Sequence, residues 1–227
     1  GEDFALQDKE VGDIARKLSM VWNMYDFFTM YAEVDGWEFD GELVDPVAER
    51  TSSDKTPAAR ESEGVNSPID SRREAVLEDD GASASGSNPL DRWIVSRVHQ
   101  LLQEIEENMD EYNIPNAVSP ILPFLDDASN WYVRRSRRRF WKSDDASDKD
   151  AAYLTLHYVL VRLSQALAPF VPFMAEELYR KLTGGESVHL TDWPQVGHVD
   201  EIVLQQMGRT REIIEQGLAR RMFKDET

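Results

Sequence analysis

The feature that most limits the folds open to this chain is the recurrence of apolar residues at spacings of three and four, with no useful stretch of period two. Val11, Ile14, Leu18, Val21, Tyr25, Phe28 and Ala32 form one such stripe over residues 10–32. Asn88–Pro89 forms a cap and first-turn pair for a second helix through Leu90, Ile94, Val98, Leu101, Ile105 and Met109. Ile121, Phe124, Leu125, Ala128, Trp131 and Tyr132 share a third face. Tyr153, Leu156, Leu160, Leu163 and Leu167 line a fourth helix, and Met174 to Leu182 a further one that stops at Gly184–Gly185. After a short extended excursion at Ser187–Trp193, the pattern returns through Ile202, Leu204, Met207, Ile213, Ile214 and Leu218. One-sided helices must bury their stripes on one another, so the spacing predicts an all-α, antiparallel helical bundle.

The bundle is interrupted once. Residues 47–88 hold Ser, Ala, Glu, Asp, Pro and Gly without any Phe, Trp or Tyr, a composition that cannot bury enough surface to offset its ordering entropy. The chain therefore divides into a first bundle portion at 1–46, a disordered low-complexity insertion at 47–88, and the remaining helices at 89–227. Pro120 and Pro123 complicate the third helix, since proline inside a helix loses a hydrogen bond and clashes with the preceding turn. Ser119 as N-cap with Pro120 at the first helical position accommodates one of them, which leaves Pro123 as the expected kink.

Charge is spread unevenly. There are 25 basic against 43 acidic side chains, a net charge of −18, which repels polyanions at long range and makes any nucleic-acid contact local and salt-sensitive. No cysteine is present, which excludes disulfides, thiolate zinc sites and thiol catalysis and suits a reducing compartment. His99, His157, His189 and His198 are scattered singly, without the spacing of a metal site. Asp126–Asp127 and Asp144–Asp145 are adjacent pairs whose side chains diverge on a helix, which suits capping and ion pairing better than catalysis. No apolar run spans a bilayer and the acidic start does not read as a signal peptide, so the chain is expected to be soluble and intracellular, with no membrane contact.

Against this acidic background, Asn130 to Lys142 reads N-W-Y-V-R-R-S-R-R-R-F-W-K, six basic groups with no acid. Arginine neutralises phosphate and lies flat on bases, and Trp and Tyr offer stacking faces, a mixture suited to a flexible RNA loop. Projected as a regular helix at 100° per residue, Arg135 and Arg139 fall within the core stripe and are expected to form structural ion pairs. Arg134, Arg137, Arg138, Asn130 and Trp141 fall on the outer side and, with Trp131, are the candidate RNA contacts. Trp22, Asn23 and Tyr25 on the first helix are secondary candidates.

Several of these strings resemble a known family. Leu90-Asp91-Arg92-Trp93-Ile94-Val95-Ser96-Arg97, Phe124-Leu125-Asp126-Asp127, the Asn130–Trp141 string, Leu167-Ala168-Pro169-Phe170 through Glu177, and Ser187-Val188-His189-Leu190 with Asp192-Trp193-Pro194 look like the anticodon-binding helical domain of isoleucyl-tRNA synthetases. The resemblance covers nearly everything outside 47–88, and the arginine string is its most specific part. It implies a module of cytoplasmic translation that binds the anticodon stem-loop of tRNA(Ile). The full-length enzyme would ligate isoleucine to that tRNA with ATP and magnesium. Neither a His-x-Gly-His nor a Lys-Met-Ser-Lys-Ser motif occurs, so the chain resembles a monomeric, catalytically inactive piece of that ligase, with no cofactor and no metal of its own. The paired prolines depart from the uninterrupted helix expected there. A competing reading makes the arginine helix a surface that docks on the synthetase catalytic core, since Arg and Trp are also enriched at protein interfaces.

Overall fold

The computed structural model describes residues 8–39, 41–48, 88–142 and 145–222, and the interior of the predicted insertion lies outside them. The long helices are α1 (Asp8–Asp35), α2 (Pro89–Asp110), α6 (Ala146–Leu167), α7 (Pro172–Thr183) and α8 (Glu201–Met222). Between α2 and α6 run the short helices α3 (Ile114–Val118) and α4 (Ile121–Asp126), a π-helical segment at Asp127–Val133, and α5 (Arg134–Lys142). A single 3₁₀ turn, Val188–Leu190, precedes α8, and no strand occurs among the described residues.

Side-chain pairings fix the direction of the helices. The end of α1 meets the beginning of α6, where Tyr153 donates to Asp35 at 2.5 Å, Lys149 pairs with Asp35, and the Trp37 indole N–H donates to Asp150 at 2.9 Å. About two turns earlier on α1, Phe28 packs on Tyr153 and His157, so α1 and α6 are antiparallel. His157 Nε2 lies 3.0 Å from the carbonyl of Leu182, ten residues before the end of α6 and ten after the start of α7, as an antiparallel hairpin requires. By contrast α2 and α6 run in the same sense, because Asp91 and Asp148 share one arginine near their beginnings and His99 meets Tyr158 further along. The α3–α5 run supplies the return.

The core follows the stripes of α2, α4 and α6, whereas on α8 the expected stripe residues Ile202, Ile213 and Leu218 are exposed and Val203 is buried in their place. On α1 the buried residues are Val21, Met24, Phe28 and Ala32, while Val11 and Ile14 stand half-exposed where the helix extends past its neighbours. Leu101, Leu102, Ile105, Phe124, Leu125, Leu156, Leu160 and Leu163 fill the centre, where truncating one leucine to alanine costs about 2–5 kcal/mol. Asn88 caps α2 by accepting from the Leu90 N–H at 3.0 Å, and Asp145 caps α6 through the N–H groups of Ser147 and Asp148. Gly184 ends α7 in the left-handed region at φ +66°, where a side chain would be strained.

The prolines behave differently from the sequence expectation. Ser119 is helical and closes α3, donating its N–H to Pro115, so it is not an N-cap. Pro120 precedes α4 and Pro123 falls in the first turn of that helix, where its missing N–H would have had no intrahelical acceptor. No kink arises at Pro123; the region instead becomes two short helices. The expected extended excursion at Ser187–Trp193 contains the 3₁₀ turn, held by Glu176 of α7, which accepts from Ser187 Oγ and the Val188 N–H at 2.9 Å each.

His99, fully buried on α2, ties two chain segments to the bundle. Its Nδ1 accepts from the Gly197 N–H at 2.9 Å, and its Nε2 lies 3.0 Å from Asp45 Oδ2. A Cβ on Gly197 would sit 2.7 Å from the ring, so this approach needs glycine. Burial pushes the Asp45 carboxyl up, but hydrogen bonds from His99 and from the Val47 and Ala48 N–H groups outweigh it and hold the carboxyl below its ordinary value. Val47 and Ala48, the first residues of the predicted insertion, thereby continue a helical turn against the bundle.

Candidate nucleic-acid interface

The arginine helix is positioned by an irregularity that no motif announces. Between α4 and α5 the backbone widens into the π-helical segment Asp127–Val133, which inserts about one residue and retards the phase of everything after it by about 100°. The core positions of α5 therefore move from 135 and 139 to 136 and 140. Ser136 and Phe140 are both fully buried, and Phe140 packs edge-on against Phe27 and Tyr153.

This shift changes the assignment of the arginines. Arg135, expected inside with a carboxylate, is exposed; its guanidinium lies 4.1 Å over the Trp131 ring, and no carboxylate pairs with it among the described residues. Arg139 sits at the border of the core. Its Nη1 and Nη2 donate to the two oxygens of Asp91 at 2.6 and 2.8 Å, and its Nε donates to Asp148 Oδ2 at 2.9 Å. The Tyr132 hydroxyl completes the network by donating to Asp91 at 2.9 Å, and burial together with the Asp91 charge pushes its pKa well up. Burial opposes the Arg139 charge, but the two carboxylates outweigh it and raise its pKa.

The outer face of α5 consists of Arg134, Arg135, Arg138 and Trp141, the last 76% exposed. Arg137, also exposed, leans toward α1 with its guanidinium 5.8 Å from the Phe27 ring. Asn130 is exposed and donates to Asp126 at 2.7 Å. Trp131 is only half-exposed, because a second guanidinium, Arg211 of α8, lies 4.5 Å over its ring. Trp22 and Tyr25 pack edge-on with each other on a different side of α1. The charges acting on Tyr25 include Lys181 and Glu177 of α7, whereas Phe27 and Tyr31 face α5. The structure thus does not bring Trp22 and Tyr25 to the arginine helix, and Asn23 is exposed between the two sides.

Sequence reasoning missed Arg211. It ion-pairs with Asp127 and approaches Asp126 at 4.0 Å, while Arg97 Nε donates to Asp127 at 2.9 Å. Asp127 carries two arginines because the π segment turns it inward beneath α2 and α8. One of several arginines on a long helix, Arg211 gives no sequence signal of such a role. Among the described residues no three His, Asp or Glu side chains gather as a metal site, and no helix is long and apolar enough to cross a membrane.

Residues 91–222 match the family model of the anticodon-binding domain of tRNA ligase. The chain belongs to that family. The chain is 40% identical over 194 residues to an isoleucine–tRNA ligase of Dehalococcoides mccartyi, covering 82% of this chain and 15% of the relative. An isoleucine–tRNA ligase of Treponema pallidum is 36% identical over 197 residues, 85% of this chain and 16% of the relative. One from Chlamydia muridarum is 50% identical over 110 residues, 47% of this chain and 11% of the relative. The chain therefore spans about a sixth or less of the length of these relatives.

Proposed function

We propose that this anticodon-binding domain grips the anticodon stem-loop of an isoleucine tRNA, with the outer face of α5 as its principal contact. The observation that carries the reading is the row Arg134, Arg135 and Arg138 beside Trp141: three guanidinium groups without carboxylate partners among the described residues, next to an exposed stacking surface. By contrast Arg92, Arg97, Arg139 and Arg211 are each paired with aspartate. Unpaired arginines on one face of a chain carrying −18 net charge are suited to phosphate, and the aromatic to a splayed base. Arg137 and Asn130 border this face and extend it toward α1 and the π segment. The three relatives described above are isoleucine–tRNA ligases, which supports isoleucine as the amino acid. In the whole ligase, ATP and magnesium would serve the adenylating part, and this domain would supply tRNA selection in the cytoplasm.

The competing use of this face, docking on the catalytic core, is less well supported. A protein partner gains most by covering apolar surface, and this face offers Trp141 among its arginines, whereas Phe173 at 92% and Leu190 at 72% exposure stand apart from it on α7 and the 3₁₀ turn. Charge reversal at Arg134 and Arg138 separates the two readings. Loss of tRNA affinity with unchanged melting supports RNA contact, whereas loss of aminoacylation in the whole ligase at unchanged tRNA affinity supports docking.

A further inference from the structure

The Trp131 ring holds two guanidinium groups that differ in every other respect. Arg135 comes from the next turn of the same helical run, is exposed, and has no carboxylate partner among the described residues. Arg211 comes from α8, is half-buried, and is neutralised by Asp127, which is itself buried and also accepts from Arg97. A guanidinium already tied to a buried carboxylate is poorly placed to take up phosphate, yet its flat face still fixes the aromatic ring beside it.

We infer that Arg211 is a positioning residue of the RNA interface: anchored on Asp127, it sets the orientation of Trp131, and the Trp131 ring in turn aims the guanidinium of Arg135 at the RNA. This inference rests on the reading of α5 as an RNA-binding face. Trp131 lies on the π segment, where the widened backbone gives a long side chain more room than a regular helix would. Without Arg211 the ring keeps its packing against the core but loses one of the two guanidinium groups stacked on it, and Arg135 then stacks on a less firmly held platform. Lysine at 211 would keep the charge for Asp127 but not the planar face, which separates the ion pair from the stack.

The test uses this chain and a transcript of isoleucine tRNA, titrated at several salt concentrations. Arg211→Lys is expected to raise Kd about three- to tenfold, as loss of one organised stacking contact would, with the slope of log Kd against log salt unchanged. Arg135→Ala should raise Kd and also flatten that slope by the equivalent of about one phosphate contact. In the Arg135→Ala background Arg211→Lys should have no further effect. Trp131→Phe, which keeps an aromatic ring but shrinks it, should reproduce the effect of Arg211→Lys and serves if that variant melts below assay temperature. Wild-type Kd in Arg211→Lys or in Trp131→Phe, a flattened salt slope in Arg211→Lys, or additive effects of Arg211→Lys and Arg135→Ala would each overturn the inference alone. Absence of salt-dependent tRNA binding by the unaltered chain would overturn both the inference and the reading beneath it.

Discussion

Arg139 clasps Asp91 through two parallel hydrogen bonds, 2.6 and 2.8 Å, across 48 residues of sequence. Asp91 is fully buried, so its charge has no solvent to fall back on. The pair ties the arginine helix to the start of α2, and through Asp148 to the start of α6. Arginine suits this task because its planar fork satisfies one carboxylate fully and still reaches a second.

Removing one side of that clasp should be costly. Arg139→Met or Asp91→Asn is expected to destabilise the domain by about 3–5 kcal/mol, since either change leaves an uncompensated group in the interior. Arg135→Met should change stability by no more than about 0.5 kcal/mol, as befits an exposed side chain. Urea denaturation of the variants gives the comparison directly, and equal effects at 135 and 139 would contradict the phase shift described for α5.

Ser136 occupies the core position that a regular helix would have given to Arg135. Its hydroxyl is fully buried and has no hydrogen-bond partner. Ser136→Ala should therefore raise stability by about 1 kcal/mol, because it removes an unsatisfied polar group and adds a better helix former. A loss of stability in thermal denaturation would mean that the hydroxyl has a partner in solution.

Much of the fold was legible because helical spacing, the Asn88–Pro89 cap and the Gly184 stop act locally. The inward arginines were less so. Their assignment assumed constant rotation from Ile121 to Lys142, and a π-helical segment is set by how α1, α2 and α8 close around Asp127 and Trp131, not by any residue type within it. The same limit applies at Pro123, which the chain absorbs by starting a new helix two residues earlier, at Ile121. Arg211 was hidden because its partners lie 84 and 80 positions away and only tertiary packing brings them together. The exposed face at Arg134, Arg138 and Trp141 needed no such knowledge, since its charge and aromatic content stand out in an acidic chain.

His157 predicts a pH dependence. Burial lowers its pKa, while its contact with the Leu182 carbonyl acts weakly the other way, and its Nδ1 is buried without a partner. The unfolded chain therefore takes up a proton near the ordinary value of 6.5, where the folded chain stays neutral. Unfolding then binds protons, so stability should fall as pH drops below 6.5 and continue falling until the folded pKa is reached. Melting curves from pH 7.5 to 5 should show this decline in the unaltered chain and a flatter profile in His157→Gln. Identical profiles would place the titration elsewhere.

The most direct test of the central claim is the binding of this chain to isoleucine tRNA and to the same tRNA with an exchanged anticodon, each at two salt concentrations. The account predicts tighter binding to the native anticodon and a steep loss of affinity with added salt. Equal affinity for the two tRNAs would contradict it.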